Sequence, residues 1–199
     1  MLGPLTSTIQ GVVNFTWPML IISIIIMVSV RATYLIKNHA KITLYKEILM
    51  LVFAIYILCL FQVVTFQDNV IATENNFIPF KEILRYQINS RLFIKNVVGN
   101  MLMFFPFGFF ISYYLNVEKA DLTIMLTLIA SIAIEIVQSL IGRVFDIDDI
   151  ILNLLGGVFG YLIYILLKKV GKTSPIFNNE IFLNILSIFA LIGLFIVLI

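Results

Sequence analysis

The residues best placed to do chemistry in this chain are the polar ones embedded in apolar runs. Glu135 lies well inside one such run, where an unpaired acidic group costs on the order of 2.5–3.5 kcal/mol. Acidic residues at such depth face a bundle interior, find partners and mark function. On a helix Ser131 and Gln138 share its face. Glu135 then serves either as a general acid or base or as a protonated group hydrogen-bonded to Gln138 or a neighbouring asparagine. Asn96 and Asn100 stand four apart. Arg143, Asp146, Asp148, Asp149 and Asn153 follow in a short stretch, with Asp146, Asp149 and Asn153 on one helical face. A guanidinium offers paired donors to phosphate or carboxylate, and Arg143, with Arg91 as a second cation, fits that role. Clustered carboxylates with Asn153 and Glu135 alternatively suit a hard cation. Each also has a plain structural reading: Asp148 or Asp149 as a helix N-cap, and Arg143 paired with Asp146 at the membrane surface.

The elements that must hold these residues are membrane helices. Of 199 residues 61% are hydrophobic and 12% charged, against about 25% charged in ordinary soluble domains. Mean hydropathy is +1.09. A soluble enzyme, a nucleic-acid binder and a disordered chain fit poorly, and a net charge of +2 implies no polyanionic partner. Cys59 is the single cysteine, so neither an intrachain disulfide nor a Cys-based zinc site is available. Six runs approach the roughly 20 apolar residues a spanning helix needs: 12–30, 48–66, 97–115, 122–141, 150–167 and 181–199. The expected fold is all-α, one polytopic helical-bundle domain over 1–199 with about six spans. The first run reads as a span, since no Lys or Arg precedes it and no small-residue cleavage site follows.

Alternation of spans places the start of the third, the end of the fourth and the start of the fifth on one side of the membrane. Asn96, Asn100, Glu135, Gln138, Arg143, Asp146, Asp149 and Asn153 therefore converge at one end of the bundle. Eight basic residues flank one side, at 31, 37, 41, 46, 119, 168, 169 and 172, and five the other, at 81, 85, 91, 95 and 143. The positive-inside rule makes the polar end extracellular, with both termini outside. Between 67 and 96, a turn over 75–79 leads into Phe80, Ile83, Leu84, Ile88 and Leu92 at helical spacing. That pattern describes a short helix near 80–92, lying in the outer interface or packed on the bundle. Gly156 and Gly160 form a small-xxx-small pair, read as close packing within the chain. Pro106 reads as a packed kink and His39 as a solvated loop residue.

Asn76-Phe-Ile-Pro-Phe80, Asn96-x3-Asn100 with Phe104-Phe-Pro-Phe-Gly108, Glu135-x2-Gln138, and Gly142-Arg-Val-Phe-Asp-Ile-Asp-Asp149-x3-Asn153-x2-Gly-Gly157 together resemble the VanZ-like family of bacterial membrane proteins. The resemblance covers about 76–165 and implies a bacterial cell membrane location and a link to reduced susceptibility to teicoplanin-type glycopeptides. The expected function is then glycopeptide tolerance or another envelope role through an outward polar pocket holding a lipid-linked precursor, a lipid head group or the antibiotic. The alternative is a membrane-embedded carboxylate- or metal-dependent enzyme, although no nucleophile–histidine pair supports one. A transporter fits least, because no inverted repeat is visible. No cofactor, no nucleic acid and no particular oligomeric state is called for.

Overall fold

The computed structural model describes residues 3–65, 74–174 and 179–198. Seven helices are present among them: α1 (Gly3–Lys37), α2 (Leu44–Thr65), α3 (Lys81–Arg85), α4 (Arg91–Tyr114), α5 (Ala120–Leu140), α6 (Ile147–Thr173) and α7 (Glu180–Leu198). Stretches of α1, α2, α4, α5 and α6 give five helices long and apolar enough to cross a membrane, and α7 contributes a shorter apolar helix over Glu180–Leu194. The protein is thus an all-helical, multi-pass membrane protein. The part of the second connection at 67–73, and Ile199, lie outside the described residues.

The chain divides into two compact units, one from Val64 to Lys169, the other from the chain before Val64 and after Lys169. In the second unit, Arg31 grips the Glu47 carboxylate through two hydrogen bonds of 2.7 and 2.9 Å, a geometry that suits a planar guanidinium. There too Asn184 Oδ1 accepts from Tyr45 N at 2.9 Å. His39 is exposed in the turn after α1, as expected.

The first unit carries the polar residues, and its packing inverts that of a soluble domain. On α5 the buried positions are Thr123, Thr127, Ser131, Glu135 and Gln138, while Met125, Ile129, Ile132 and Ile136 face outward. Lipid solvates the apolar side of such a helix, and small polar residues let the backbones approach. Their hydroxyls are satisfied locally: Thr127 donates to Thr123 O at 2.7 Å, and Ser112 to Gly108 O at 2.6 Å, with Thr123 Oγ1 2.9 Å from the Ser112 hydroxyl. α4 and α6 meet backbone to backbone. A Cβ built on Gly108 would lie 2.0 Å from Gly157 O, one on Gly156 2.1 Å from Met101 O, and one on Gly160 2.1 Å from Phe105 O. The small-xxx-small pair is therefore an intrachain seam.

The segment expected to form a helix over 80–92 does so only over Lys81–Arg85. Asn89 takes a left-handed conformation, φ 65°, which asparagine tolerates better than most residues. Ser90 then caps a new helix by accepting from Phe93 N at 3.1 Å. The apolar residues that suggested one helix, Phe80, Leu84, Ile88 and Leu92, all remain exposed, Leu84 at 81%. They suit the hydrocarbon edge of a membrane and not the bundle core.

Candidate functional site

Two local devices deliver Arg143 and the aspartates to the same end of the first unit. α5 stops in a Schellman turn. Gly142 takes φ 87°, Gly142 N donates to Ser139 O at 3.2 Å, and Arg143 N donates to Gln138 O at 2.9 Å. α6 then begins at once, because Asp146 accepts from Asp148 N at 2.9 Å and serves as the N-cap. The sequence pointed to Asp148 or Asp149 for that role. Asp146 also accepts from Asn76 Nδ2 at 2.7 Å, while Asn76 N donates to Phe145 O (2.9 Å) and Ile147 N to Asn76 O (3.0 Å). This one-residue parallel bridge ties the segment before α3 to the α5–α6 turn.

Asp148 has a different task. It is 1% exposed, and its carboxylate accepts from the backbone N–H groups of Phe80, Glu82 and Ile83 at 2.5, 2.7 and 3.2 Å. It thereby anchors the start of α3, whose first-turn N–H groups have no helical partner of their own. Asp149, one position on, turns about 100° around the helix and meets Asn100 Nδ2. Glu135, also 1% exposed, accepts from Asp146 N at 3.0 Å. Gln138 and Arg143 both donate to Val64 O, at 3.3 and 2.8 Å.

These groups surround a cavity of about 280 Å³ lined by Glu82, Ile83, Tyr86, Asn96, Val97, Asn100, Arg143, Val144, Asp146, Asp148, Asp149 and Leu152. Of the eight residues singled out from the sequence, Asn96, Asn100, Arg143, Asp146 and Asp149 line it. Glu135, Gln138 and Asn153 stand behind it as supports, Asn153 by donating to Ser131 Oγ at 3.0 Å. Arg91 is exposed at the start of α4 and is not among the lining residues. Arg143 pairs with no carboxylate among the described residues, so the expected Arg143–Asp146 surface pair does not form. Nor do three or more carboxylate, histidine or cysteine side chains gather anywhere among the described residues in a way that could hold a metal ion. Each aspartate is engaged by a different partner: Asp146 by Asn76, Asp148 by the backbone N–H groups of Phe80, Glu82 and Ile83, and Asp149 by Asn100.

A model of the VanZ/LLP1 family matches residues 48–168, well over half of the chain. The chain belongs to the VanZ/LLP1 family. The match begins in α2, upstream of the motif-bearing stretch 76–165, and takes in every residue that lines the cavity. No curated protein and no solved structure matches the chain.

In this VanZ/LLP1 protein, sequence reasoning overlooked Glu82 and Tyr86 as cavity residues. Tyr86 accepts from Asn96 Nδ2 at 2.8 Å. Asn96 itself sits in a π-helical stretch, Ile94–Val98, at the start of α4; such turns recur at functional sites. Burial dominates the electrostatics of the α5–α6 turn. It lowers the proton affinity of Arg143, against the raising effect of the Asp149 and Glu135 carboxylates. It holds the Asp146 carboxyl above the usual aspartate range, against the hydrogen bonds from Asp148 N and Asn76.

For Asp146 the sign of the pH effect follows. The folded state holds this proton more tightly than the unfolded one, so stability falls as pH rises from about 3.9 through the raised folded value, and the deficit is complete above it. Asp146→Asn keeps a good N-cap and an acceptor for Asn76, but does not titrate. The variant is expected to match wild type near pH 3.5 and to melt higher at pH 7, in thermal unfolding of the detergent-solubilised protein. A gap that stays constant with pH would contradict the assignment.

Proposed function

We propose that this VanZ/LLP1 protein acts in the bacterial cell envelope, in teicoplanin-type tolerance or a related role, by binding a ligand in the cavity at the polar end of its first unit. The observation that carries this reading is the cavity itself. It gathers Arg143, Asn96, Asn100 and Asp149 around about 280 Å³, just under the ~300–1,000 Å³ of small-molecule pockets. That volume suits a head group, of a lipid or a lipid-linked precursor, better than an entire glycopeptide. The excess of Lys and Arg on the connections away from the cavity supports an outward-facing site with both termini outside. An outward site meets cell-wall precursors where glycopeptides act.

The test is a susceptibility assay in a glycopeptide-sensitive Gram-positive host, comparing teicoplanin with vancomycin. Cells would express wild type, Glu135→Gln or Asp149→Asn, with membrane levels followed through a tag. Wild type should raise teicoplanin tolerance, and a normally inserted Asp149→Asn should lose most of that rise. Two variants that both match an active wild type would make the polar cluster purely structural. A well-inserted wild type with no effect would remove the tolerance role.

A further inference from the structure

The cavity walls offer a ligand more acceptors than donors. Asp149 takes its hydrogen bond from Asn100 on Oδ1 only, leaving Oδ2 with no partner among the described residues. Asn96 and Asn100 donate their amide nitrogens to Tyr86 and Asp149, and nothing among the described residues donates to their amide oxygens. One helical turn beyond Asp149, Asn153 is 4% exposed. Its nitrogen donates to Ser131 Oγ, and its Oδ1 is buried with no partner among the described residues. Asn153 does not itself line the cavity, but its bare acceptor shows the same shortage of donors just behind the wall. On the donor side stand the guanidinium N–H groups of Arg143 not directed at Val64, and the Tyr86 hydroxyl proton.

Formal charge points the same way. Asp146, Asp148 and Asp149 line the cavity against Arg143 as the one lining cation, while Glu82, also in the wall, is paired with Arg85 at 3.1 Å. A bare phosphate or carboxylate would satisfy Arg143 but face the carboxylates and leave the amide oxygens unmet. A bare cation would leave Arg143 half-buried and unpaired. A group carrying both charges a few bonds apart answers both needs.

We infer that the cavity receives a zwitterionic group, a protonated primary amine close to a phosphate or carboxylate. The anion lies on Arg143, and the ammonium lies among Asp149 Oδ2 and the oxygens of Asn96 and Asn100. This rests on the reading of the cavity as a ligand site. The same chemistry is carried by an ethanolamine phospholipid and by a small soluble zwitterion.

The experiment is native mass spectrometry of the full chain released from detergent. It compares retention of phosphatidylethanolamine, N-acetyl-phosphatidylethanolamine and phosphatidylglycerol of matched acyl chains. Wild type should retain phosphatidylethanolamine at least about tenfold better than the other two. Asp149→Asn should erase that preference, and Arg143→Gln should weaken all three. Free phosphoethanolamine added in competition separates the sources, displacing the lipid if the cavity accepts the soluble zwitterion. Equal retention of the three lipids by wild type, lowered by Arg143→Gln, would overturn the amine and leave an anion site. Retention of all three that neither variant alters would overturn the ligand-site reading itself.

Discussion

Gly156→Ala is expected to leave little of the first unit folded. The added methyl would lie 2.1 Å from Met101 O and 2.9 Å from Met101 C, and both atoms belong to helix backbone. A flexible side chain could swing away from such a clash; a helix backbone has to move as a body. Overpacking in cores costs typically ~1–3 kcal/mol, and an obstruction made of backbone belongs at the upper end or beyond. Gly160→Ala strikes Phe105 O at 2.1 Å and Phe109 N at 2.6 Å, so it should behave alike. Gly193→Ala in α7 meets nothing within 4 Å and should be neutral or slightly stabilising, because alanine is the better helix former by about 1 kcal/mol. Thermal unfolding and size-exclusion profiles in one detergent would check the contrast. A Gly156→Ala protein that melts with wild type would show that α4 and α6 do not pack backbone to backbone.

Asp148→Asn should be nearly as damaging, although it changes a single atom. Oδ1 accepts from Phe80 N, and Oδ2 from Glu82 N and Ile83 N. An amide supplies one oxygen only, so its NH2 must face at least one of these backbone donors. Hydrogen bonds to charged groups contribute ~1.5–3 kcal/mol each, and the carboxylate also complements the positive start of α3. The expected result is a loss of about 2–4 kcal/mol and release of the segment around α3, since stranded buried donors add to the lost bonds. Limited proteolysis should then cut near Lys81 and Arg85 at much lower protease levels than in wild type. Unchanged cleavage would mean that Asp148 does not hold this wall.

The contrast between Asp148 and Asp149 shows what the sequence could convey. Convergence of Asn96, Asn100, Arg143 and Asp149 was readable because alternating spans fix which helix ends share a side. The role of Asp148 was not. Its partners are backbone N–H groups of residues 80–83, which leave no mark in side-chain chemistry. The helix expected over 80–92 ran through Asn89 because hydrophobic spacing registers side chains and ignores a left-handed backbone. Thr123 and Thr127 passed as ordinary membrane residues, since a hydroxyl barely alters the hydropathy of a span. Their four-residue spacing with Ser131 and Glu135 was the available signal that one side of α5 is polar for its whole length.

The π-helical stretch Ile94–Val98 makes the alignment of Asn96 with Asn100 a matter of length as much as of composition. A π-turn holds one residue more than the surrounding helix requires. Excising a single residue there would let the strand of hydrogen bonds close in α register. Because the widened turn absorbs the extra residue, the helix on either side would keep its facing, and only the residues inside the turn would change position relative to Asn100. Asn96, which lies inside the turn, would shift against Asn100 and the cavity while every helix kept its place in the membrane. One inserted or deleted codon is thus a route by which relatives sharing this architecture could change what they hold, with no side chain replaced.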